Sequence, residues 1–88
     1  MIATRLIVRG TVQGVFYRDW TVRNARELGV AGWVRNLPDG TVEAHLQGAA
    51  EAVETLASRM LDGPPSARVA RIEREAAEAD GLAGFERR

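Results

Sequence analysis

The apolar residues of this chain switch between a two-residue and a helical period in a fixed order, and that order leaves few folds open. In "TRLIVRG", Thr4, Leu6 and Val8 fall on one face of an extended segment and Arg5, Ile7 and Arg9 on the other. From about Arg18 to Leu28 the period becomes helical: Tyr17, Thr21, Ala25 and Leu28 share a face, and Gly29 is a natural stop. Alternation then returns in "AGWVRN" and "TVEAHLQG", joined by the turn residues of "LPDG". On the second of these strands Val42, Ala44 and Leu46 alternate with Glu43, His45 and Gln47. A second helix is expected from about Ala49 to Leu61, with Val53, Leu56, Ala57, Met60 and Leu61 on its apolar stripe. It ends at "DGPPS", because Pro64 and Pro65 cannot continue a helix.

"ARVARIE" supplies a fourth strand. Residues 73–80 are good helix formers in an ambiguous place, so strand, loop and helix all stay open there; the expectation is strand, then loop, then a short edge strand near Phe85. The order strand, helix, strand, strand, helix, strand is that of two split β-α-β units. It predicts an α+β, ferredoxin-like βαββαβ sandwich in which two helices cover one face of an antiparallel sheet. The 88 residues are read as one domain, 1–88, at a size where folding buries roughly 60–70% of the unfolded surface.

What the chain lacks narrows its chemistry. There is no cysteine, hence no thiolate nucleophile and no Cys-ligated metal. All 12 basic residues are arginine, which removes Schiff-base and P-loop lysines, and the single histidine, His45, has no companion for a zinc site. Ser58 and Ser66 are the only serines, and neither sits in a Gly-x-Ser-x-Gly setting. No metal and no cofactor are expected. The formal net charge is zero, which argues against a nucleic-acid or anionic-membrane partner. No apolar run approaches the ~20 residues of a membrane span, and "MIATRLIVRG" does not read as a signal peptide. A cytoplasmic monomer is the expectation. An enzyme built from this chain works with arginine, amides, carboxylates and backbone.

The stretch "GTVQGVFYRDW", Gly10 to Trp20, is where such chemistry would sit. Gly10 and Gly14 permit positive φ and close backbone approach. Successive amides in a strand-to-helix turn form a nest, and the helix N-terminus adds partial positive charge, so an anion is the natural occupant. Arg18 has the wrong sign for a helix N-terminus unless an anion is bound, when its planar fork can hold two phosphate oxygens. Tyr17, with Val15 or Phe16, would anchor this loop on the core. On spacing alone, a solvated arginine is the favoured reading of Arg18 over a ligand. Asn36, at the end of "GWVRN", either opens the turn or uses its amide to position a water. His45, Asp19, Trp20 and Trp33 read as structural.

"GTVQGVFYR" (Gly10–Arg18) and "GWVRNLPDGTVE" (Gly32–Glu43) closely resemble the two signature segments of the acylphosphatase family, and "GPPSARV" resembles a third. The likeness runs essentially end to end. It implies the same ferredoxin-like fold and hydrolysis of the carboxyl–phosphate bond of acyl phosphates without metal or covalent intermediate. By the resemblance Arg18 is the phosphate-binding catalytic arginine and Asn36 the residue that orients the attacking water. The loop Gln13, Gly14, Val15, Phe16, Tyr17 and Arg18 matches the segment whose amides cradle the phosphoryl group. Tyr17 stands where many members have phenylalanine. The implied partner is a small-molecule acyl phosphate, with inorganic phosphate or sulfate as competing anions. The alternative is a ferredoxin-like module that binds a phosphorylated metabolite or other anion without turnover.

Overall fold

The computed structural model describes residues 1–88. The elements are β1 (Ile2–Thr11), α1 (Tyr17–Leu28), β2 (Ala31–Asn36), β3 (Val42–Gly48), α2 (Ala50–Asp62), β4 (Arg68–Ala76) and β5 (Phe85–Arg87). They form one five-stranded sheet in the order β4-β1-β3-β2-β5. The segment left open in the sequence resolves as strand through Ala76, loop from 77 to 84, then the short edge strand at Phe85. The first four strands pair antiparallel, but β5 runs parallel to β2, with Gly32 beside Phe85. The sheet is therefore mixed rather than wholly antiparallel. The cause is topological: after β4 on one edge the chain crosses to the far edge and enters it in the direction of β2.

Alternation places the core where expected. Leu6 and Val8 of β1, Val34 of β2, and Val42, Ala44 and Leu46 of β3 are fully buried against Tyr17 and Ala25 of α1 and Val53, Leu56 and Met60 of α2. Leu61 departs from the expectation, with 54% of its surface exposed. At about 100° per residue it lies a quarter-turn or so from Met60, beyond the edge of the stripe that the sheet covers. Ala57, nearer the centre, is partly buried.

Tyr17 joins the two helices. Its ring is 1% exposed, and its hydroxyl donates to the Met60 carbonyl oxygen at 2.6 Å. That carbonyl belongs to the last turn of α2, where backbone acceptors lack helical partners. Burial pushes the phenol well above its ordinary range, so it stays a donor. Gly10 serves a different close approach, within a bulge between β1 and β4: a Cβ there would sit 2.1 Å from the Arg68 carbonyl oxygen.

The face of the sheet away from the helices is closed by polar side chains. Glu43, on the central strand, is only 6% exposed in its side chain and takes Arg5 Nε on one oxygen and Arg35 Nε on the other, both at 2.5 Å. Desolvation raises its pKa, but the two guanidinium bonds together outweigh that and hold the carboxyl below its ordinary value. Beside it the Trp33 and His45 rings stack with centroids 6.0 Å apart, and the guanidiniums of Arg35 and Arg88 lie over Trp33. His45 Nε2 donates to Gln47 Oε1, an assignment fixed by Gln47, whose amide bonds both the N–H and the carbonyl of Asp80. This bracket pins the crossing loop.

Two outcomes are expected. Tyr17→Phe leaves the Met60 carbonyl buried without its donor and should lower unfolding free energy by about 1–3 kcal/mol in denaturant titrations. Glu43 has a depressed folded-state pKa, so its contribution is present above the unfolded value near ~4.3 and is lost as pH falls through the lower folded value. Melting curves between pH 6 and pH 3 should therefore show an acid limb that is shallower in Glu43→Gln, which starts from lower stability at neutral pH.

Candidate active site

Beyond β1 the chain makes a tight turn before α1. Gly14 has φ 72° and lies open to its surroundings, while Phe16 holds φ 64° and ψ 18°, the left-handed region, as the cap of α1. Three contacts fix this turn. Gln13 Nε2 donates to the carbonyls of Leu37 and Thr41, each at 2.8 Å, and so ties the loop to the β2–β3 turn. Ser66 Oγ donates to the Val15 carbonyl at 2.6 Å from the segment after α2. Tyr17 anchors it from below.

Of the two partners the sequence offers Tyr17 as loop anchors, Val15 or Phe16, the structure selects Val15. Val15 packs against the core and Tyr17 is part of it, but Phe16 is 76% exposed and anchors nothing. Its left-handed backbone turns the side chain away from the protein while the residues on either side turn in.

The turn leaves its amides without protein partners. None of the N–H groups of Gly14, Val15 and Phe16 donates to a protein acceptor, and no side chain caps the first turn of α1. Helix geometry leaves the N–H groups of that turn free as well. Free donors that converge on a helix N-terminus make a site of positive potential without any metal.

An open cavity of about 230 Å³ lies at this turn, lined by Val12, Gly14, Phe16, Tyr17, Arg18, Asp19, Asn36 and Arg87. Arg18 and Asn36, which stand 18 positions apart in the sequence, thus share one wall-to-wall space. Arg18 Nη1 donates to the Arg88 carbonyl at 3.0 Å, which steadies the guanidinium and leaves its other donors for a ligand. Asn36 ends β2 with its Oδ1 buried and without a hydrogen-bond partner. Such an acceptor is costly to leave unmet, by about 1–3 kcal/mol.

Not every residue of the loop reaches this space. The side chains of Gln13 and Val15 do not line the cavity: the first bridges to the β2–β3 turn, and the second packs inward. Val12 and Arg87 do line it and were not singled out from the sequence. Arg87 pairs with Asp19 at 3.0 Å across the mouth. It arrives there only through the pairing of β5 with β2 and the bond from the Arg88 N–H to the Val34 carbonyl, a long-range contact with no local signal. Asp19 could be read as a favourable charge in the first turn of a helix, but not as the partner of Arg87. His45 and Trp33 lie outside the cavity. No three of the His, Asp and Glu side chains converge as ligands for an ion.

The family model described as Acylphosphatase matches residues 4–87. A protein named acylphosphatase from Thermococcus kodakarensis is 52% identical over 84 residues, covering 96% of this chain and 92% of that protein. One of the same name from an Acidovorax species is 52% identical over 87 residues, covering 99% and 90%. The crystal structure of acylphosphatase from Bacillus subtilis superposes with a TM-score of 0.94 at 32% identity, covering 98% of this chain and 97% of that one. With the family model matched over residues 4–87 and relatives 52% identical over nearly the whole chain, the chain belongs to the acylphosphatase family.

Proposed function

We propose that this chain, acting as a single cytoplasmic domain over residues 1–88 and as a monomer, hydrolyses acyl phosphates to a carboxylate and inorganic phosphate. One observation carries the reading: loop residues whose amides have no protein partner, Arg18 and Asn36 all line one open cavity. The amides of Gly14 to Arg18 and the Arg18 guanidinium match the negative oxygens of a phosphoryl group. The Asn36 side-chain amide hydrogen-bonds the attacking water and turns a lone pair of that water toward phosphorus. Attack forms a P–O bond and breaks the bond to the acyl oxygen. The electron pair of that bond leaves with the carboxylate, and the protons of the attacking water stay with the inorganic phosphate or pass to solvent.

The chemistry suits a site without a conventional acid, base or nucleophile. A carboxylate leaves with a conjugate acid of pKa near ~4, so no general acid is needed. Phosphoryl transfer asks mainly for charge stabilisation and alignment. Fixed amides and an arginine held by Arg88 supply the first, and Asn36 the second. Inorganic phosphate and sulfate, tetrahedral anions of the same size, are the competing ligands.

The test separates the two side chains. With EDTA present throughout, because the proposal needs no metal, Arg18→Ala should impair both binding and turnover of benzoyl phosphate. Arg18→Lys should restore little, for lack of the planar fork. Asn36→Ala should lower kcat by about a hundred- to thousandfold, the effect of losing one aligned polar group in comparable sites, with little change in the affinity for phosphate. An Asn36→Ala protein with normal kcat would return Asn36 to a turn residue. A wild-type protein that binds phosphate yet turns nothing over would be the non-catalytic binding module instead. Inorganic phosphate should also raise the melting temperature, by about 2.7 kcal/mol of stabilisation at a hundred times Kd. That shift should vanish in Arg18→Ala.

A further inference from the structure

Phe16 is the one residue of the loop whose side chain neither the fold nor the phosphate cradle explains. It is 76% exposed, so its ring adds little to the core. Its φ of 64° is a region where non-glycine residues cost of order 1–3 kcal/mol. Glycine or asparagine would serve the backbone better, and the cradle needs only the amide. A large apolar side chain is nonetheless held there, at the lip of the cavity that contains Arg18 and Asn36.

The other apolar residues that line this cavity are Val12 and Tyr17, each only 1% exposed, so their surfaces are already spent on the core. Phe16 is thus the single apolar lining side chain with surface left to give. The remaining lining, Arg18, Asp19, Asn36 and Arg87, is polar or charged. A phosphoryl group seated on the amides leaves its acyl substituent pointing out past the lip. We propose that Phe16 is a specificity-determining residue whose ring packs on the acyl group and favours aryl and larger apolar acyl phosphates over acetyl phosphate. This rests on the acyl phosphate reading above. Binding energy comes from apolar surface removed from water and from ring-on-ring contact. The strained backbone is the cost of aiming that ring at the ligand.

Phe16→Gly and Phe16→Asn both tolerate the left-handed backbone and should fold, as circular dichroism would verify. The quantity to read is the ratio of kcat/KM for benzoyl phosphate to that for acetyl phosphate. It should fall five- to tenfold in both variants, whatever common factor the two substrates lose through the altered loop. Phe16→Leu, apolar but without the ring, should fall between. A second measurement does not need turnover. The phosphonate analogue of benzoyl phosphate, with CH2 in place of the bridging oxygen, should lose affinity relative to the acetyl analogue by a similar factor. Ratios that stay within twofold of wild type in both measurements would overturn the assignment. If the wild-type protein turned over neither substrate, the hydrolysis reading would fail, and the analogue affinities would still decide whether Phe16 contacts the acyl group.

Discussion

The seating of Tyr17 in the core fixes where the loop can lie, and with it where Arg18 and the free amides point. Its ring is enclosed by both helices and the sheet, and its hydroxyl spends itself on a carbonyl at the end of α2. One residue earlier the backbone is left-handed, and one residue later a guanidinium enters the cavity. Core burial thus does what a helix cap ordinarily does. With no side-chain cap at α1, the first-turn donors remain available to a ligand. The protein has an unsatisfied helix end because a buried aromatic residue, rather than a hydrogen bond, holds that end in place.

Much of this was legible in the residues, and for definite reasons. Strands β1 to β3 and both helices announce themselves by period, since Leu6, Val8, Val42, Ala44 and Leu46 repeat at two and Val53, Leu56 and Met60 at three and four. Arg18 and Asn36 could be found because the resemblance fixes them within contiguous segments. What could not be read depends on contacts between distant segments. The parallel pairing of β5 has no local signature, and Arg87 owes its place at the cavity mouth to it. The choice between Val15 and Phe16 could not be read, because both are apolar members of one trio and the left-handed backbone at Phe16 has no sequence signal. Leu61 fails for a milder reason, as the stripe on α2 is narrower than its apolar composition suggests.

The polar face of the sheet has its own logic. A central strand is covered on both sides even when helices occupy only one, so Glu43, His45 and Gln47 are buried beneath their neighbours' side chains. Each finds a polar partner there: Glu43 two arginines, His45 Gln47, and Gln47 the Asp80 backbone. Opposite charges in register across the strands help here, Arg35 facing Glu43 and Arg5 facing Glu75, while Arg5 also reaches Glu43 diagonally.

Gln13 joins two parts of the molecule that the chain keeps apart. Its amide reaches from the loop to the Leu37 and Thr41 carbonyls, on the turn that directly follows Asn36. The loop and the hairpin are therefore latched to each other as well as to the core, so that local opening of one should be felt as loosening of the other. In hydrogen-exchange terms they form a single opening unit. The phosphate cradle and the asparagine would be lost together or kept together, and brief excursions of the native state would rarely present half a site.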